Sequence, residues 1–373
     1  MSDSGHTHRL RLAGSALPVV SPARIYTCGI TPYDVTHLGH AATFVWADAV
    51  AAVLRVAGAD AVTCRNVTDV DDVLTHAATA QGRRYDEFAL EQEFLFGRDM
   101  AALRVRRPSV EPRARHHIGS VVQLAAALLA LDHAYERAGS VYFRGADVAA
   151  RAGLGRDEAV RLLAENADHP DDPNRDDALD VAVWRSSPET EPGWPSPWGA
   201  GRPGWHAECA AMALSVLGSS VDVLTGGADL AFPHHAYQKA MVQAATGVAP
   251  FARADLRVGT VRVGGAKMAK STGNLVLVAD LLRDHRPAAV RLLLLDRRWD
   301  EAWDFDAADL DRASARLERL YAGTGKLYGG GAAEAAAVTA ALADDLDVPR
   351  ALDVAEEGGG DAARLLLRTL ALD

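Results

Sequence analysis

The sequence has few of the features that mark a secreted or membrane-bound protein. Only three cysteines occur in 373 residues, Cys28, Cys64 and Cys209, and this low, odd number argues against a disulfide framework. No run of about eighteen apolar residues is present to cross a membrane. Residues 1–12 lack the basic segment and apolar run of a secretory signal. We therefore expect a cytoplasmic protein with no membrane partner.

Positive charge is also in deficit. The chain has 39 Lys and Arg against 50 Asp and Glu, a formal net charge of -11. Proteins that wrap a polynucleotide usually carry a basic surface, because phosphate neutralisation drives their binding. The negative net charge therefore argues against an RNA substrate. An acidic protein can still bind RNA through a local basic patch.

What is present favours an α/β fold with a parallel sheet. Residues 23–31 form a β-rich apolar run that predicts a buried strand, 39–58 have helical periodicity, and 60–70 predict a second strand. This order is typical of the start of a parallel α/β sheet. Strand and helix patterns recur at 219–230 and 233–247, and apolar helical patterns dominate from residue 287 onward.

The turn HLGH, residues 37–40, lies between the first strand and the first helix. Its glycine permits close approach of a ligand, and a helix N-terminus favours phosphate. His37 and His40 are therefore candidate phosphate-binding residues. Taken alone, the motif is more often a surface turn with two incidental histidines.

A glycine-rich stretch near residue 267 carries the motif KMAKS, residues 267–271. Lys267 and Lys270 on a mobile loop can follow charge that develops on a phosphate during a reaction. Without a partner motif, a solvated basic loop is the simpler interpretation.

The two motifs together resemble the signature pair of the class I aminoacyl-tRNA synthetases. The resemblance implies a Rossmann-like parallel sheet that binds ATP with Mg²⁺, with His37, His40, Lys267 and Lys270 as catalytic residues. The pattern along the chain indicates five segments. They are a lead-in (1–22), the first half of the catalytic domain (23–118), an insertion subdomain (119–195), the second half with the KMAKS loop (196–285) and a C-terminal helical domain (286–373).

Five motifs, of which KMAKS is one, resemble the cysteinyl-tRNA synthetase family in order and spacing. They are TCGITPYD (27–34), NVTDVDD (66–72), WHAEC (205–209), GADLAFPHH (227–235) and KMAKS. The resemblance implies that Cys28, Cys209 and His234 hold one zinc ion, although each buried cysteine alone would be read as a small apolar side chain. Zinc with an open fourth position would select cysteine over serine, because it binds a thiolate far better than a hydroxyl.

Within that family the chain is similar to the mycothiol-pathway ligases. GITPYD (29–34), DMAALRV (99–105) and the segment 194–214 carry this likeness, and we expect no anticodon-binding domain. The resemblance implies ATP-dependent ligation of cysteine, through a cysteinyl-adenylate, to the amine of glucosaminyl-inositol. It also implies a set of residues that contact the adenylate: Gly29, Ile30, Thr31, Thr43, Asn66, Val67, Thr68, Trp205, Gly227, Ala228, Asp229 and Val261.

Several positions depart from the family pattern. The lysine loop has Ala269 in place of serine, which removes a hydroxyl near the phosphates, and Gln238 replaces a glutamate that often serves as an extra zinc ligand. The segment ENADHP (165–170) differs from the glycine-rich loop of the mycothiol ligases, where an acceptor would bind.

These departures leave four functions open. They are the mycothiol-type ligase, a paralogue with another amine acceptor, a truncated cysteinyl-tRNA synthetase and a catalytically silent adenylate-binding protein. We expect a monomer that acts on small molecules and not on tRNA.

Overall fold

The computed structural model describes residues 10–18, 20–33, 36–166, 168–188, 191–269, 272–325 and 331–373. Its first element is a hairpin of β1 (Arg11–Leu12) and β2 (Ser15–Ala16). Three leucines of this hairpin region are buried in the main hydrophobic core: Leu10, Leu12 and Leu17. The described part of the predicted lead-in is therefore packed against the fold through these leucines.

Parallel strands alternate with helices in the first part of the chain, as predicted. The elements are β3 (Ala23–Ile30), α1 (Leu38–Val56), β4 (Ala61–Val67), α2 (Asp72–Ala80), α3 (Tyr85–Ala102) and α4 (Ile118–Ala130). Fourteen of the nineteen residues of α1 are buried, so this helix crosses the core and holds its N-terminus in a fixed place.

The middle of the chain forms a separate antiparallel sheet. Its elements are β5 (Ala134–Arg137), β6 (Ser140–Phe143), α5 (Val148–Arg151), α6 (Arg156–Glu165), β7 (Val181–Ser186) and β8 (Gly201–Pro203). The strand order is β5-β6-β7-β8. This sheet extends past residue 195, the predicted end of the insertion, because β8 pairs with β7 through Trp184 and Pro203.

The chain then returns to the parallel sheet through α7 (Trp205–Leu217), β9 (Val221–Gly227), α8 (Ala236–Thr246) and β10 (Ala252–Val258). The strand order is β10-β9-β3-β4, and every neighbouring pair is parallel. The carboxyl ends of β3, β4 and β9 therefore lie at one edge, where open α/β sheets bind their ligands.

The last part of the described chain is mostly helical, as predicted. Its elements are β11 (Val261–Val263), β12 (Ala266–Lys267), α9 (Val278–Asp284), α10 (Pro287–Leu295), β13 (Trp303–Asp304), α11 (Ala307–Thr324), α12 (Ala332–Ala343), α13 (Val348–Gly358) and α14 (Gly360–Thr369). The helical pattern from residue 287 onward did not reveal β13, which pairs with β11.

A buried ion pair joins this helical part to the catalytic half. Arg291 of α10 contacts the carboxylate of Asp48 in α1, with side-chain exposures of 0% and 3%. The same guanidinium donates to the carbonyl oxygen of Leu370 at 2.6 Å. Among the described residues, no helix has the length and apolarity needed to cross a membrane.

Candidate active site and metal centre

Two thiols and an imidazole meet beneath the end of the central strand. Cys28 lies near the end of β3, Cys209 in α7, and His234 just before α8. Their ligand atoms all lie within 4.8 Å of one another, and all three residues are buried. These are the three residues that the sequence predicted to hold zinc.

The electrostatics of this group suit a thiolate-binding cation. Burial raises the pKa of Cys28, whereas the hydrogen bond from Cys28 and the nearby His234 hold the pKa of Cys209 well below its usual value. A lowered pKa favours the thiolate form, and the thiolate is the form that binds metals. Two sulfurs and one imidazole nitrogen form a donor set typical of zinc with a fourth position open.

Gln238 touches this group without adding a charged ligand. Its Oε1 accepts a long hydrogen bond of 3.6 Å from the Cys28 thiol, and its Nε2 donates to the Cys209 carbonyl at 3.4 Å. A neutral amide is a weaker zinc ligand than the glutamate for which it stands. The departure noted in the sequence thus leaves three strong ligands.

Trp205 covers one side of the metal group. It is the first residue of α7, and its indole stacks on the His234 ring with centroids 4.2 Å apart and an interplanar angle of 28°. The predicted pocket residue therefore lies directly beside a predicted metal ligand.

Polar contacts join the ends of β3 and β4 above the metal group. The Gly29 N–H donates to Asn66 Oδ1 at 2.9 Å, and the hydroxyls of Thr31 and Thr68 are 2.7 Å apart. The Thr68 N–H donates to the Ile30 carbonyl at 2.9 Å. Five of the predicted adenylate contacts therefore form one continuous polar rim.

The HLGH turn caps the N-terminus of α1, as the motif predicted. Nδ1 of His37 accepts from the N–H groups of Gly39 and His40, at 3.1 and 3.4 Å. The rings of His37 and His40 stack with centroids 3.8 Å apart and an interplanar angle of 23°. Both imidazoles therefore lie at the positive end of a helix, where phosphate binds favourably.

The lysine loop is anchored on this turn, although the two motifs are about 230 residues apart in sequence. The Leu38 N–H donates to the Val276 carbonyl at 2.8 Å, and the Val278 N–H donates to the Thr36 carbonyl at 3.1 Å. A β-carbon at Gly39 would lie 3.5 Å from Cε of the buried Met268. Lys270 and Ser271 lie outside the described residues.

Lys267 reaches the adenylate contacts predicted after β9. Its Nζ lies 2.5 Å from Oδ2 of Asp229. A β-carbon at Gly227 would lie 2.4 Å from Asp229 Oδ1 and 3.9 Å from Thr43 Oγ1, so these predicted residues are close together. Ala228 follows Gly227 in the same turn.

Three predicted positions are apolar parts of the framework. Ile30 lies opposite Val67 in the β3–β4 ladder, and Val261 is buried at the start of β11.

The sequence did not predict two residues that shape the site. Asn274 accepts from the Ala269 N–H at 2.9 Å and donates to the Lys267 carbonyl at 3.2 Å, which fixes the lysine loop. His206 contacts His234 through their Nδ1 atoms at 3.1 Å. Both residues fall inside or beside motifs already noted, but only the fold shows what they touch.

Comparisons with known proteins agree with this geometry. Residues 19–315 match the model of the tRNA synthetases class I (C) catalytic domain. The chain also resembles the methionyl-tRNA synthetase of Mycobacterium tuberculosis solved with methionyl-adenylate. The TM-score is 0.65 at 18% identity, covering 95% of this chain and 82% of that one. The predicted class I synthetase fold, with its parallel sheet and C-terminal helices, is confirmed. The class implies ATP with Mg²⁺ as co-substrate.

Closer relatives are curated ligases. The protein from Mycolicibacterium vanbaalenii named L-cysteine:1D-myo-inositol 2-amino-2-deoxy-alpha-D-glucopyranoside ligase is 42% identical, covering 96% of this chain and 87% of the relative. The Mycobacterium avium protein of the same name is 42% identical, covering 95% and 96%. The chain belongs to this ligase family within the class I synthetases.

Proposed function

We propose that the protein ligates L-cysteine to the amine of glucosaminyl-inositol, with ATP converted to AMP and diphosphate. The observation that carries this proposal is the buried group of Cys28, Cys209 and His234, with Cys28 near the end of β3, the strand that precedes the HLGH turn. A thiol-selecting site and an ATP site at the same end of the sheet are what a cysteine-activating enzyme requires, and this arrangement supports the proposal. The names of the curated relatives support the choice of acceptor.

The first step forms cysteinyl-adenylate. A carboxylate oxygen of cysteine attacks the α-phosphorus of ATP, the bond from that phosphorus to the bridging oxygen breaks, and diphosphate leaves. His37 and His40 stabilise the charge that develops on the phosphates, and Lys267 and Lys270 add positive charge as the loop closes.

The second step forms the amide. The acceptor nitrogen attacks the adenylate carbonyl carbon, the bond from carbon to the AMP oxygen breaks, and the amine proton is released. The polar rim of Thr31, Thr68 and Asn66 is suited to hold the cysteine amine and carbonyl in place. Asp229 is suited to contact the amine or the ribose of the adenylate.

One zinc ion per chain would be held by Cys28, Cys209 and His234, and it would supply selective binding of the substrate thiolate. Trp205 closes the side of this pocket by stacking on His234. The cytoplasmic location, the monomeric state and the exclusion of tRNA stay predictions.

The decisive experiment is ATP–diphosphate exchange on zinc-loaded protein with cysteine, serine and the other amino acids. We expect exchange with cysteine alone, followed by amide formation, seen by mass spectrometry, when glucosaminyl-inositol is added. No exchange with any amino acid would favour a silent binding protein. Exchange without amide formation would point to another amine, or to tRNA if a tRNA transcript accepts the cysteine.

A further inference from the structure

A line of polar contacts leads from the antiparallel-sheet region to the candidate metal site. His206 Nδ1 lies 3.1 Å from His234 Nδ1, and His206 Nε2 lies 3.7 Å from Oδ2 of Asp168. Arg175 contacts the other oxygen of Asp168. Side-chain exposures are 5% for His206, 15% for Asp168 and 5% for Arg175, so little water competes for these contacts.

The partners belong to different parts of the fold. Asp168 and Arg175 lie between α6 and β7, whereas His206 is in α7 and His234 precedes α8. The contacts therefore connect the stretch 165–177, of which residues 165–170 depart from the family pattern, to a predicted zinc ligand.

The contacts favour one arrangement of hydrogens on the two rings. The 3.1 Å contact between the two Nδ1 atoms needs one donor and one acceptor, and a neutral imidazole has one of each. A carboxylate only accepts, so Asp168, 3.7 Å from Nε2 of His206, electrostatically favours hydrogen on that nitrogen. Nδ1 of His206 is then the acceptor, and His234 must donate to it from Nδ1.

We infer that Asp168 is a positioning residue that, through His206, keeps the proton of His234 on Nδ1 and leaves Nε2 for zinc. Arg175 orients the Asp168 carboxylate for this task. Metal-binding histidines generally donate their other ring N–H to a fixed partner, and losing that partner weakens metal binding. The inference rests on the zinc site of the proposed function, and it adds a residue of the 165–177 loop to the control of cysteine selection.

The substitution Asp168→Asn reverses the pattern while changing almost no volume. Arg175 keeps the amide oxygen as its acceptor, so the amide N–H₂ faces His206 Nε2 and makes that nitrogen an acceptor. His206 Nδ1 then donates to His234, and the proton of His234 moves to Nε2, where it blocks the metal. We expect zinc affinity, measured by competition with a chelator, to fall about 10–100-fold.

Two matched variants isolate the effect. Asp171→Asn removes an exposed charge of the same loop and is expected to leave zinc affinity unchanged. Asp168→Glu keeps a carboxylate and is expected to retain most of the wild-type affinity. If the role of Asp168 is purely structural, Asp168→Asn will lower the melting temperature of the zinc-free protein but will not weaken zinc binding by the folded fraction. That result would overturn the inference.

The wild-type protein supplies a test that does not depend on a variant folding. Nitrogen-15 NMR of histidine-labelled, zinc-free protein, which has 13 histidines, reports the tautomer of each ring. Hydrogen on Nε2 of His206 and on Nδ1 of His234 is expected, and the opposite pair overturns the inference. If the wild type binds no zinc, the proposed metal site is wrong. The tautomers of His206 and His234 still test the line of contacts from Asp168 to His234.

Discussion

At the scale of single residues, the role proposed for Lys267 is to act on the phosphates rather than to bind cysteine. It lies on the lysine loop beside Asp229, and its side chain is 62% exposed, so it is free to turn toward a bound nucleotide. Removing an interaction that is made only in the transition state lowers kcat and leaves KM for the substrate nearly unchanged.

We therefore expect Lys267→Ala to lower the kcat of cysteine-dependent exchange about 10²–10³-fold, with little change in KM for cysteine. The matched control is Lys239→Ala, because Lys239 pairs with Asp255 at 2.8 Å outside the lysine loop. Steady-state exchange kinetics measure both parameters. Equal losses in the two variants would remove Lys267 from its assigned role.

The sequence predicted the individual site residues better than their partners. Cys28, Cys209 and His234 lie in recognisable motifs, so the family resemblance predicted that they form one site. The contacts of Lys267 with Asp229 and of Asp168 with His206 depend on how separate segments pack. No local pattern encodes such pairs, and the sequence therefore did not predict them.

At the scale of elements, the link between α1 and α10 fixes the catalytic helix against the C-terminal helices. The Asp48–Arg291 pair is buried, and removing one partner leaves the other charged, buried and without a counter-charge. Such a loss typically costs about 3–5 kcal/mol.

Asp48→Ala is accordingly expected to lower the free energy of unfolding by about 3–5 kcal/mol in equilibrium urea titrations. Asp344→Ala is the control, since the Arg11–Asp344 pair is roughly half exposed, and exposed pairs contribute at most about 1 kcal/mol. A loss for Asp48→Ala no larger than that of the control would show that the buried pair adds no stability.

The longer elements followed the sequence pattern, and the shortest ones did not. α1 and β3 have long apolar runs that define them, so their predicted bounds lie within two residues of the structure. β8 and β13 have three and two residues, too few to show a period of two, and only their pairing partners make them strands.

At the scale of the whole molecule, the proposed zinc ion would join two halves of the catalytic domain that are far apart in sequence. Cys28 comes from β3, whereas Cys209 and His234 follow the antiparallel sheet. A ligand that binds only the folded state stabilises it by about 2.7 kcal/mol when its free concentration is 100 times Kd.

Zinc addition to the stripped protein is thus expected to raise its melting temperature in a concentration-dependent way, measured by calorimetry. Cys209→Ala should abolish this rise, whereas Cys64→Ala should keep it, because Cys64 is buried in β4 outside the metal group. An equal rise in all three proteins would place the bound zinc elsewhere.

The strand order also determines when the strands of the parallel sheet can pair during synthesis of the protein. β3 lies between β9 and β4, and β4 follows it closely, but β9 begins only at residue 221. At ordinary translation speeds the ribosome needs roughly 10–40 s to make the intervening stretch. During that time one edge of β3 has no strand to pair with. The nascent chain therefore exposes unpaired backbone N–H and C=O groups that can pair with other chains, and chaperones would protect this edge from aggregation.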